Sequence, residues 1–152
     1  MDRSELAVKY FVEGHNCSQA IVLAFADLLD IEASQLSKLV GGFGGGIGRL
    51  REVCGAFSGA VIVLDMLYGY DNYSNDENKK EQYSRIQEIG LRFEKDKGSL
   101  ICRDLMGLNV KHSDSAPTPR TKDFYQNRPC PNIIAYVAKL LEDYINNHPY
   151  KV

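Results

Sequence analysis

Apolar residues recur three and four positions apart through nearly every segment of this chain, and that period narrows the folds open to it more than any other feature. No pair of alternating apolar and polar runs is joined by a hairpin turn signal, so the expected fold is all-α: a compact multi-helix bundle around a buried central helix. Asp2 and Glu5 have the spacing of a capping box, opening a first helix that carries Leu6, Val8, Tyr10, Phe11 and Val12 to Gly14. Asn16 caps a second, with Ile21, Phe25 and Leu28 along one face. The stretch from Ile31 to Val40 predicts a shorter helix, N-capped near Glu32 and ended by Gly41 and Gly42. From Glu52 to Tyr68 the chain is apolar nearly all round, as a helix covered on several sides must be. Asp76 to Lys97 predicts a long helix with a stripe of Tyr83, Ile86, Gly90 and Phe93, and with Glu81/Arg85 and Glu88/Arg92 paired across one turn. Ser99 is expected to cap a short helix from Leu100 to Met106. The last helix is expected to begin at Pro131 and to bury Ile133, Ile134, Val137, Leu140, Leu141 and Tyr144. Between these two, Leu108 to Pro129 contains three prolines and predicts an irregular segment of roughly 20 residues, long enough to serve as a lid.

Size and charge limit the function classes. A chain of 152 residues, 44% hydrophobic and 25% charged, suffices for a single domain spanning 1–152. Eighteen Lys and Arg against twenty Asp and Glu leave a net charge of -2, which argues against nucleic acid or anionic lipid as a partner of the whole surface. No uninterrupted apolar stretch reaches about 18 residues, so membrane insertion is not expected. Met1 to Glu5 is charged and lacks the pattern of a secretory signal, which points to a cytoplasmic protein. A homodimer is compatible with so small a domain, although no residue argues for it.

Four cysteines, at 17, 54, 102 and 130, are the main chemical signal. A reducing cytoplasm disfavours a permanent disulfide framework. Each cysteine falls in or beside the first turn of an expected helix, where unpaired N–H groups and the helix dipole favour an anionic sulfur and lower a thiol pKa. Each also continues an apolar stripe: Cys17 is four before Ile21, Cys54 three before Phe57, Cys102 three before Leu105, and Cys130 three before Ile133. All four sulfurs are therefore expected to face one interior region. Arg49, Arg51, Arg103 and Arg128 stand close in sequence and could stabilise thiolates. Spacing alone leaves a plainer reading open and slightly favours it, because free cysteine is often a buried, inert apolar side chain. No C-x-x-C pair is present, so neither a zinc ribbon of the usual spacing nor a thioredoxin-type motif is indicated. Four thiolates gathered by the fold could still hold zinc or an iron–sulfur cluster.

These blocks resemble the redox-active proteins of the C_GCAxxG_C_C family, over nearly the whole chain. The matching segments are Asn16-Cys17-Ser18-Gln19-Ala20, Phe43 to Gly48 leading into Cys54-Gly55-Ala56-Phe57-Ser58-Gly59, Cys102 to Gly107, and Arg128-Pro129-Cys130-Pro131. The second block reads Cys54-Gly55-Ala56 where the label is written Gly-Cys-Ala. The resemblance implies that Cys17, Cys54, Cys102 and Cys130 are functional, and that the helical domain is related to one in split-Soret cytochromes. It supplies no substrate. Covalent haem is not expected, since no C-x-x-C-H sequence occurs.

Under this resemblance the glycines acquire a role. Six glycines occupy the eight positions from Gly41 to Gly48. Gly44 and Gly46 would let the backbone turn tightly ahead of Cys54, while Gly55 and Gly59 would let a cofactor, or simply another helix, approach closely. A phosphate loop is disfavoured, since neither G-x-x-x-x-G-K-[ST] nor G-x-G-x-x-G is present. His15 and Asp65 are expected to be a solvated connector and a hydrogen-bonded structural carboxylate. The reading that results is a redox protein, an oxidoreductase or electron carrier. Its four convergent cysteines serve electron transfer through a bound metal or iron–sulfur centre, with a redox partner still to be identified. Its alternatives are a metal-free thiol–disulfide protein and a non-catalytic helical interaction protein with structural cysteines.

Overall fold

The computed structural model describes residues 1–150, and within them every regular element is helical. Helix α1 (Arg3–Val12) opens on the expected capping box, with the Glu5 amide donating to Asp2 at 2.8 Å, and the chain turns at Gly14 with φ 119°. Helix α2 (Cys17–Ala24) opens on a second one: the Gln19 amide donates to Asn16 Oδ1 at 3.0 Å and the Asn16 amide to Gln19 Oε1 at 3.1 Å. Helix α3 (Ala33–Val40) follows, with Glu32 at its N-cap. Ser18 Oγ donates to the Val40 carbonyl at 2.7 Å, and Asn16 Nδ2 to the Gly41 carbonyl at 2.9 Å, so the end of α3 is tied to the start of α2.

Helix α4 (Gly55–Tyr68) is the expected central helix, and it shares the centre with α2. A Cβ at Gly59 would meet the Ser18 carbonyl at 2.9 Å and Ile21 Cβ at 3.1 Å, so glycine sets how closely the two helices pack. Helix α4 starts three residues later than expected. Val53 forms an isolated antiparallel bridge with Ile101 and keeps the backbone extended there. At its far end Asp65 reaches solvent and accepts from Gln82 Nε2 at 2.9 Å, the satisfied carboxylate expected of it.

Helix α5 (Asp76–Lys97) has the predicted bounds and ends at Gly98 with φ 91°. Its inward face differs from the expected stripe: Tyr83 is exposed, and Gln82 is buried with Ile89, Gly90 and Phe93. The amide of Gln82 earns its burial by bonding Asp65 on one side and Arg85 on the other. Arg85 therefore turns inward to Gln82 and Tyr144 rather than to Glu81, and Arg92 pairs with Asp96 rather than Glu88. Helix α6 (Cys102–Leu105) is shorter than expected and follows the bridge at Ile101. The segment after it is irregular except for α7 (Lys122–Asn127), capped by Thr121. Helix α8 (Cys130–Asn147) starts one residue before Pro131 and packs against α1, α2 and α4. Ser4 Oγ donates to the Ala135 carbonyl at 2.9 Å across the α1–α8 contact. Among the described residues no helix is long and apolar enough to cross a membrane.

Candidate functional site

The glycine run forms a turn of the opposite hand to every helix around it. Gly45, Gly46, Ile47, Gly48 and Arg49 follow one another with φ of 68°, 71°, 68°, 57° and 66°, and Arg51 has φ 61°. Left-handed backbone costs a non-glycine L-residue about 1–2 kcal/mol, and most where the side chain is β-branched, as at Ile47. Hydrogen bonds hold the turn against that cost: Gly48 N–H to Gly42 at 2.8 Å, Glu52 N–H to Gly46 at 2.9 Å, and Ser113 N–H to Arg49 at 3.0 Å. At Gly46 a Cβ would lie 2.6 Å from Cys102 Cβ and 2.8 Å from Arg51 Cα, so both handedness and space exclude a side chain. The turn delivers Arg49 and Arg51 to the same interior space as the cysteines.

That space is a cavity of about 460 Å³ with all four cysteines on its wall. Cys17, Cys102 and Cys130 are the first residues of α2, α6 and α8, and Cys54 is the N-cap of α4. The bridge at Val53 sets two of them side by side in the backbone, with the Cys54 amide donating to Leu100 at 2.8 Å and the Cys102 amide to Glu52 at 2.6 Å. Cys17 Sγ packs against the backbone of Gly55, where a Cβ would strike the sulfur and the Phe43 carbonyl. None of the four is in a disulfide.

Burial overrides the helix-start effect on acidity. It pushes the Cys130 thiol up to about 11, reinforced by repulsion from Cys17 and only partly offset by Arg128. Cys54 is raised further, again mainly by burial, and Cys17 is raised despite a hydrogen bond from the Gly45 backbone. The expectation of thiolate-favouring positions is thus corrected for these three: first-turn N–H groups lower the values at Cys17 and Cys54, and Arg128 does at Cys130, but lost hydration outweighs them.

Arginines supply the charge. Arg49, Arg51, Arg120 and Arg128 line the cavity, and no Asp, Glu, Lys or His among the described residues does. Arg51 is only 3% exposed; its Nη1 lies 3.6 Å from Cys102 Sγ and from Met106 Sδ, and its Nε donates to Ser113 Oγ at 2.9 Å. Arg128 carries its charge beside Cys130, which partly offsets the rise in the thiol pKa, and burial lowers the pKa of Arg128 itself. Arg103 turns away to Glu52 at 3.3 Å.

A family model described as "Putative redox-active protein (C_GCAxxG_C_C)" matches residues 15–144. The chain belongs to this family. No curated protein and no solved structure matches it. The matched span contains the four cysteines, while α1 precedes it and still contributes Phe11 to the cavity wall.

The four residues singled out as glycine contacts divide into two pairs in this C_GCAxxG_C_C chain. Gly44 and Gly55 line the cavity, whereas Gly46 sits behind Cys102 and Gly59 lies in the α2–α4 packing. His15 is off the wall, its ring edge-on to Tyr10 at 5.7 Å. Sequence reasoning missed Arg120, Thr118 and Met106, which reach the cavity from the irregular segment and from the end of α6. Nothing in their local spacing marks them; the only signal was the unusual length of that segment.

Proposed function

We propose that the protein carries electrons through an iron–sulfur cluster held by Cys17, Cys54, Cys102 and Cys130, as an electron carrier or oxidoreductase served by a redox partner in a reducing, cytoplasmic setting. The observation that carries this reading is the convergence of four soft sulfur donors on one cavity that offers no carboxylate or imidazole. A single tetrahedral ion does not fit. It would need sulfurs about 3.8 Å apart, and among the described residues no three Cys, His, Asp or Glu groups stand close enough to hold one ion. The all-sulfur donor set and a cavity of about 460 Å³ fit a polynuclear centre. When bound, such a centre takes up and releases single electrons. The protein's own part is to exclude water, through Phe11, Phe124, Ile133 and Ile134, and to place Arg51 against Cys102 and Arg128 against Cys130, where their charge stabilises thiolate ligands.

Acidity supports ligation over thiol–disulfide cycling. Raised pKa values leave little attacking thiolate at neutral pH for Cys17, Cys54 and Cys130, whereas a bound metal deprotonates its thiols outright. The test is elemental and acid-labile sulfide analysis of protein purified without oxygen. Several irons with matching sulfide per chain are expected, lost in Cys17→Ser and Cys54→Ser while helical circular dichroism persists. Metal-free protein that cycles between thiol and disulfide would sink the cluster reading, and so would inert thiols without metal.

A further inference from the structure

Three guanidinium groups stand in a row beside the sulfurs, joined by neutral atoms. Met106 Sδ accepts from Arg51 Nη1 at 3.6 Å and from Arg128 Nη1 at 3.7 Å. Thr118 Oγ1 accepts from Arg128 Nη2 at 2.9 Å and from Arg49 Nη1 at 3.0 Å. Cations so placed repel one another. A buried cation ordinarily meets a carboxylate. Among the described residues the one carboxylate paired with any of the three is Asp114, 4.0 Å from Arg49, on a side chain 84% exposed and outside the cavity wall. Phe11, Phe124, Leu105 and Ile133 supply apolar wall beside the arginines, with the Arg128 guanidinium lying over the Phe124 ring at 4.3 Å.

We infer that Arg49, Arg51 and Arg128 form a binding site for a doubly charged oxyanion of the phosphate or sulfate class, either free or carried on a small molecule whose apolar body fills the remaining space. The guanidinium fork matches such oxygens in pairs, and more than one fork converging on a dry pocket selects charge as well as shape. Arg51 and Arg128 also flank Cys102 and Cys130, so the anion would share the cavity with whatever the sulfurs hold; the inference goes beyond the cluster reading and is tested apart from it.

The experiment is calorimetric titration of the full chain with inorganic phosphate and with phenyl phosphate, in chloride of matched ionic strength, with iron measured on the same sample. One phosphate per chain is expected. Arg51→Gln and Arg128→Gln should each weaken it at least tenfold, and Lys95→Gln, on the outer surface of α5, should leave it unchanged. Phenyl phosphate binding more tightly than inorganic phosphate supports the small-molecule form of the ligand, and equal affinity supports the free ion. Absence of saturable binding in the folded wild type overturns the inference, as does undiminished affinity in whichever arginine variant remains folded. Iron-bearing protein that ignores phosphate fails this inference alone; iron-free protein that binds it fails only the cluster.

Discussion

A thiol at the first turn of a helix is pulled in two directions, and Cys17 and Cys54 show which pull wins. The N–H groups and dipole of the helix favour thiolate by a few tenths to about 1 kcal/mol, while removal of water disfavours it by several times that when burial is nearly complete. The position of all four cysteines at helix starts was legible from caps and stripes. Their acidity was not, because hydration depends on residues such as Phe124 and Ile133 that only the tertiary fold brings alongside. A pH dependence follows. Folding raises the Cys130 pKa from 9.0 to about 11, so the folded state holds a proton that the unfolded chain has already released across that interval. The associated stability is intact below pH 9 and is lost as pH rises toward 11. Chemical denaturation of the metal-free protein at stepped pH should therefore show stability falling over this window, with a shallower fall in Cys130→Ala. A fall equal in the two proteins would refute the assignment. Labelling with iodoacetamide should be slow at pH 7 for the same reason.

At the level of elements, the helices were readable wherever a cap or a period specified them. The capping box at Asp2, the cap at Asn16 and the bounds of α5 match because each depends on residues within one turn of the boundary. The late start of α4 was hidden because its cause, pairing of Val53 with Ile101, links segments far apart in sequence. The left-handed turn was half legible: glycines announced backbone freedom, but nothing local announces that Ile47, Arg49 and Arg51 join them at positive φ. Two substitutions probe it. Gly48 has φ 57° and open space around it, so Gly48→Ala should cost about 1–2 kcal/mol of backbone strain and little else. Ile47 is exposed at φ 68°, so Ile47→Gly should raise stability by about 1 kcal/mol. Urea midpoints moving in the reverse order would contradict the handedness of the turn.

Across the whole molecule, the segment between α6 and α8 is fastened as a strap over the cavity, and arginines are its fasteners. Arg49 donates to the Asp114 carbonyl at 2.6 Å and Arg51 to Ser113. Arg120 crosses to α1, donating to Phe11 at 2.9 Å and His15 at 3.1 Å while stacking over Phe11 and Phe124. Loss of that anchor in Arg120→Ala should cost about 1–2 kcal/mol and accelerate amide hydrogen exchange in residues 113–121. Exchange that is unchanged there would mean the strap is held elsewhere. The all-α class could be anticipated at this scale, as could Arg49, Arg51 and Arg128 beside the cysteines; Arg120 could not, since it comes from an irregular segment. The contact between α1 and α8 also bears on biosynthesis. Ala7 and Phe11 are fully or almost fully covered in the finished fold, with α2 and α8 both packed on α1. A growing chain would leave part of that apolar face bare, and its cavity open, until α8 emerges and docks, so the interval of greatest aggregation risk precedes the docking of α8.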